Sequence, residues 1–88
     1  MNEKYTYEDQ TETLKRKREL DILINVIEPD SQYQPYFVSD KATVYDVFGY
    51  SEQELRNSLE THFKMKLDIS LDLPIWKLID VLKQAGCF

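Results

Sequence analysis

The stretch Phe48-Gly49-Tyr50-Ser51-Glu52-Gln53-Glu54-Leu55 opens the best-marked helix of the chain, and it decides the fold class. Ser51 and Glu54 stand at the S-x-x-E spacing of a capping box, in which the serine oxygen accepts from the third helical amide and the glutamate reaches back to the serine amide. Tyr50 ahead of the cap and Leu55 at the fourth helical position are placed for a hydrophobic staple. Gly49 supplies a flexible joint before the cap. Beyond it Leu55, Leu59 and Phe63 recur every four residues, with Arg56, Asn57, Glu60 and Thr61 between them. One stripe is apolar and the other suits water, so a helix is expected over 52–64.

Upstream, residues 40–48 carry Val44, Val47 and Phe48 at helical spacing, with Ser39 or Asp40 as a cap for one or two turns. Val44 and Tyr45 suit a strand as well. Residues 30–39 hold Pro35 and the aromatics Tyr33, Tyr36 and Phe37 and read as a long ordered loop. Its aromatics are expected to plug one end of the core; a ligand-recognition surface is the sharper alternative. Tyr36-Phe37-Val38 is a candidate extended piece. A further helix is expected from Thr13 to about Ile27, where Pro29 disfavours continuation. Its stripe comprises Leu14, Leu20, Leu23, Ile24 and Ile27, with the charged half Lys15 to Glu19 in water. Residues 1–12 are polar and read as a flexible arm, leaving 13–88 as one helical domain.

Downstream, Met65, Leu67, Ile69, Leu71 and Leu73 alternate with Lys66, Asp68, Ser70 and Asp72. That period fits a half-buried strand or an extended linker over 66–72 whose alternate side chains enter a helical core, and the linker is preferred. The last helix is expected over 74–84, with Asp72 or Leu73 as cap, Pro74 in the first turn, and Ile75, Leu78, Ile79 and Leu82 at i, i+3, i+4 and i+7. Gly86 is placed for its C-terminal cap. Leu55, Leu59, Phe63, Ile75, Leu78, Ile79 and Leu82 should therefore share one core with Leu20, Leu23 and Ile27.

Eighty-eight residues with 42% hydrophobic content support a single small core, and two glycines with three prolines disfavour a turn-rich β-sandwich. The expected class is mainly α, a small single-domain helical bundle. Net charge is −5, from 11 basic and 16 acidic residues, which argues against an extended nucleic-acid footprint. The one basic run, Lys15-Arg16-Lys17-Arg18, fits a solvated face paired with Glu12, Glu19 and Asp21 better than a phosphate contact. No apolar run approaches a membrane span, and the acidic start is unlike a signal peptide. With Cys87 as the lone cysteine, a cytoplasmic setting is the default.

Chemistry-bearing groups are sparse. His62 is the only histidine, so a single chain holds neither a histidine-based hydrolase set nor a multi-histidine metal site, and it reads as a helix-flank surface residue. Asp68-x-Ser70-x-Asp72 begins like a calcium loop, but Leu73 stands where the glycine is needed and Ile79 where the bidentate glutamate is needed. No glycine-rich phosphate loop or nucleophile elbow is present. No catalytic or metal residue is therefore assigned, and the expectation is a protein that is not an enzyme.

Two family resemblances attach to the opening stretch. Phe48 to Leu55 is similar to the F-G-Y-S-x-x-E-L of some PAS sensor domains, but that fold needs several strands afterwards and only 33 residues follow. Taken whole, Phe48-Gly49-Tyr50-Ser51, Leu55, Leu59, Glu60, Phe63, Met65, Leu67 and Lys77-Leu78-Ile79-Asp80-Val81-Leu82 resembles the second half of acyl carrier proteins. That resemblance implies an acidic four-helix bundle whose second helix opens on a serine carrying phosphopantetheine, here Ser51. The family's Asp-Ser-Leu is replaced by Tyr50-Ser51-Glu52, and the segment from Leu67 to Pro74 is shorter than the family's third helix.

The functional expectation is an accessory or protein-interaction module with carrier-like architecture, docking through acidic helices and exposed tyrosines. The alternatives are an acyl or peptidyl carrier with phosphopantetheine on Ser51, and a small nucleic-acid-contacting regulator using Lys15 to Arg18.

Overall fold

A computed structural model describes residues 10–35 and 38–88. The chain forms five α-helices in these segments: α1 (Thr11–Lys15), α2 (Lys17–Ile27), α3 (Val44–Val47), α4 (Glu52–Phe63) and α5 (Ile75–Gln84), with a 3-10 turn at Ser31–Tyr33. It is a small, mainly helical domain, and no strand occurs among the described residues. α2 packs on α4 and α5, and α1 packs on α5. Residues 1–9 of the expected arm, and Tyr36 and Phe37 of the expected extended piece, lie outside the described residues.

α4 starts and ends where its side chains dictate. The Ser51 hydroxyl accepts from the Glu54 N–H at 3.2 Å, and the Glu54 carboxylate accepts from the Ser51 N–H at 2.9 Å. The expected capping box is therefore formed on both sides. At the other end Lys64 takes a left-handed conformation (φ 57°), which lets the Met65 N–H close on the Glu60 carbonyl. Leu55 and Leu59 are buried, whereas Phe63 is only half-buried and meets the Phe88 ring edge-on at 5.5 Å.

α5 follows the same logic with one correction. Neither Asp72 nor Leu73 caps it: Pro74 occupies the N-cap position, which has no side-chain acceptor. The Ile75 N–H instead donates to the distant Ala42 carbonyl at 2.8 Å. Gly86 ends the helix at φ 93°, a region L side chains avoid. Its N–H and that of Cys87 donate to the Lys83 and Leu82 carbonyls, the paired bonds of a Schellman ending.

The expected single helix from Thr13 is two helices beginning at Thr11. Arg16 interrupts it with φ −118° and ψ 33°, at once the end of α1 and the cap position of α2. The bend turns Thr13 inward, where its hydroxyl donates to the Val38 carbonyl at 2.9 Å, and leaves Leu14 59% exposed. Leu14 thus leaves the expected stripe, while Leu20, Leu23 and Ile27 stay in it. The charged half is not wholly in water either, since Glu19 is buried and Arg16 is mostly covered.

α3 is capped by Thr43 rather than by Ser39 or Asp40. Thr43 and Asp46 form a second capping box, the hydroxyl accepting at 3.2 Å and the carboxylate at 3.0 Å. Asp40 serves α1 instead, its carboxylate accepting from the Glu12 and Thr13 N–H groups at 2.9 Å.

Residues 64–74 form neither strand nor helix. Leu67 and Leu71 enter the core while Lys66, Asp68, Ser70 and Asp72 face water, so the alternation belongs to an extended linker. Arg56 fixes its path, donating to the Leu67 carbonyl, and the Glu60 carboxylate accepts from the Leu67 N–H at 2.8 Å. All ten expected core residues except Phe63 are buried, and Val38, Val44, Phe48, Leu67 and Leu71 join them.

Candidate functional site

Three surfaces bear on function: the Ser51 cap, the basic run, and a cleft at the C-terminal end of α2. Ser51 is exposed and lies one position beyond Tyr50. Its oxygen is engaged by Glu54, and its extended backbone (φ −73°, ψ 164°) is that of an ordinary cap. The non-helical 64–74 segment stands where the carrier resemblance implies a third helix. Tyr50 is 38% exposed and donates its hydroxyl to Glu28, so its polar end ties α4 to the end of α2; Phe48 supplies the buried aromatic ahead of the cap. Gly49 has open space around it and no left-handed backbone, so the joint expected there is not required.

The basic run is paired throughout. Lys15 meets Glu12 at 3.4 Å, Lys17 meets Asp21 at 2.8 Å, and Arg18 lies 4.0 Å from Glu19. Arg16 crosses to α5: its Nε and Nη2 donate to the two Asp80 oxygens at 2.8 and 2.9 Å, and Nη1 donates to Glu12 at 3.0 Å. Its guanidinium also stands 4.9 Å from the Trp76 ring centroid. The bidentate Arg16 bond holds the Asp80 carboxyl below its usual range despite partial burial. Glu19 is likewise lowered, first by its own backbone N–H and then by Lys83 at 3.2 Å. Arg16–Asp80 and Lys83–Glu19 bind helices together, while the pairs of Lys15, Lys17 and Arg18 each lie within a single helix.

The cleft is built differently. It is a shallow concavity of about 440 Å³, open to solvent and lined by Glu28, Asp30, Tyr33 and the stretch from Val47 to Tyr50. Glu28 ends α2, and the Gln34 side-chain amide donates to its carbonyl at 2.7 Å. Asp30 caps the 3-10 turn through the Gln32 N–H at 3.0 Å, which fixes Tyr33 beside it. Tyr33 is 66% exposed, so it does not plug the core as expected. The bond to Glu28 raises the Tyr50 phenol above its usual value, reinforced by burial and by the charges of Glu28, Glu54 and Asp30. Phe48 and Val44 form the packed side behind this rim.

Sequence reasoning named Tyr33 as part of an aromatic loop and Tyr50 as a staple residue, but it did not bring them together. The available signal was an acidic pair, Glu28 and Asp30, flanking Pro29 at a helix end. His62 is exposed on α4 and meets the neighbouring Phe63 edge-on at 4.9 Å. Cys87 is half-buried, its thiol donating to the Met65 sulfur at 3.8 Å and raised by burial. Among the described residues no helix is long and apolar enough to cross a membrane. Compared with family models, with curated proteins and with solved structures, the chain matches none.

Proposed function

We propose that this chain is a non-catalytic docking module of the cytoplasm that presents the Glu28–Tyr50 cleft to a protein partner. One observation carries the reading: of the three large hydrophobic side chains exposed among the described residues, Tyr33 and Tyr50 line the same concavity. Exposed tyrosines offer amphipathic contact area at low entropic cost and are enriched at protein interfaces. A photo-crosslinking amino acid at position 33 should capture a discrete protein species in host cells, and the same group at exposed Lys66 should not. Equal capture at both positions, or none at 33, overturns the reading.

The second reading keeps the carrier resemblance, with phosphopantetheine on Ser51. It is supported by the exposure of Ser51 at the start of α4. Against it stands the complete capping box, which accounts for Ser51 and Glu54 without a prosthetic group. Incubation with coenzyme A and a broad-range transferase followed by intact mass measurement distinguishes the two. The docking reading expects no mass gain; a gain lost in Ser51→Ala establishes the carrier. The third reading, a nucleic-acid contact through Lys15 to Arg18, has less support, since Arg16 is committed to Asp80 and the chain carries a net charge of −5.

A further inference from the structure

We infer that α1 is a strap that opens as a unit, hinged at Arg16, while the rest of the domain stays closed; this does not depend on the docking reading above. The core helices are held by apolar burial. α2 buries Leu20, Leu23 and Ile27, α4 buries Leu55 and Leu59, and α5 buries Ile75, Leu78, Ile79 and Leu82. α1 buries no hydrophobic side chain: its one buried residue is Thr13, and its one large apolar residue, Leu14, is 59% exposed. Detaching α1 therefore brings little apolar surface of its own into water, which places it at the low end of local stability.

Among the described residues, the directed contacts that hold α1 are polar. At its outer end the Asp40 carboxylate accepts from the Glu12 and Thr13 N–H groups, in its middle the Thr13 hydroxyl donates to the Val38 carbonyl, and at the hinge Arg16 donates to Asp80 of α5. Each of these groups regains a partner in water on release, so each bond resists opening only modestly. The backbone ladder is already interrupted at the hinge. The Arg16 N–H closes on the Thr13 carbonyl, and the Leu20 N–H begins α2 on the Arg16 carbonyl at 2.8 Å. α1 can leave without unwinding α2, baring the Val38 carbonyl and lifting the Arg16 guanidinium from the Trp76 ring. The two latches, Asp40 and Asp80, stand on separate parts of the fold and act on little more than one helical turn. Such a turn does not persist once either end is free, so both latches hold the same closed state. A merely frayed terminus would instead loosen gradually from its outer end and be indifferent to the latch at its inner one.

Hydrogen exchange of the backbone amides, followed by NMR on the full-length protein at neutral pH, tests this. The amides of Glu12, Thr13 and Arg16 should share one protection factor, at least about tenfold below those of Leu59 and Leu82, and low urea should leave it unchanged because the opening exposes little surface. Asp80→Ala should lower the protection of Glu12 and Thr13 about tenfold although their own acceptor, Asp40, is untouched. Asp40→Ala should do the same at Arg16, and in both variants Leu59 and Leu82 should keep their protection. Four results overturn the inference. They are protection at α1 equal to that of the core, protection that climbs steadily from Glu12 to Arg16, an effect of each substitution confined to its own end, and a proportionate loss at Leu59 and Leu82.

Discussion

Ser51 shows how a single side chain can invite two explanations, and its geometry separates them. A capping serine contributes to stability whether or not anything is ever attached to it. Ser51→Ala should cost about 1 kcal/mol, while Ser51→Asp should be nearly neutral because the carboxylate also accepts at a helix start. Urea unfolding of the two variants checks this. Arg16 and Asp80 offer a second residue-scale test. Asp80 is 42% exposed and Arg16 19%, so solvent screening limits the bidentate pair to about 1 kcal/mol of coupling in a double-mutant cycle of Arg16→Met and Asp80→Asn. Asp80 has a lowered folded pKa, so its contribution is present above the unfolded carboxylate value near 4 and is lost as pH falls through the folded value. The measured coupling should therefore vanish in acid and persist at neutral pH.

At the scale of elements, what was legible in the sequence was what is local. The Ser51–Glu54 box, the four-residue recurrence of Leu55 and Leu59, and the Ile75 to Leu82 stripe are each decided within a few positions, and each formed. The Thr43–Asp46 box is equally local but uses an aspartate where the usual template has Glu or Gln, so it passed unnoticed. The break at Arg16 was not legible, because no proline or glycine marks it and the groups that shape α1 lie far away in sequence. Asp40 is 28 positions from Glu12, and Asp80 is 64 positions from Arg16. The acidic tyrosine cleft was hidden for the same reason: Glu28 and Tyr50 are 22 positions apart. The alternation at 65–73 misled only in part, since a strand and a linker dipping into a core share the period of two. Two substitutions address these elements. Leu59→Ala should cost about 2–5 kcal/mol, read by thermal or chemical denaturation, because Leu59 is fully buried between helices. Asp40→Ala should remove two amide acceptors from the start of α1 and accelerate hydrogen exchange at Glu12 and Thr13 well above that of the α4 amides.

The molecule as a whole has one core, drawn from α2, α4 and α5 together with Val38, Val44, Phe48 and the linker leucines. With no second core among the described residues, far-UV circular dichroism and Trp76 fluorescence should give coincident midpoints in urea. Trp76 is placed to make that comparison informative, because the Arg16 guanidinium stands over its ring and reports the docking of the first two helices on α5.

The way α1 is held also sets an order of assembly. A five-residue helix is far too short to persist alone in water. Its amides wait for Asp40, and the bend that follows it waits for Asp80. On the ribosome, then, α1 cannot settle until Asp40 and Asp80, translated well after it, have both emerged.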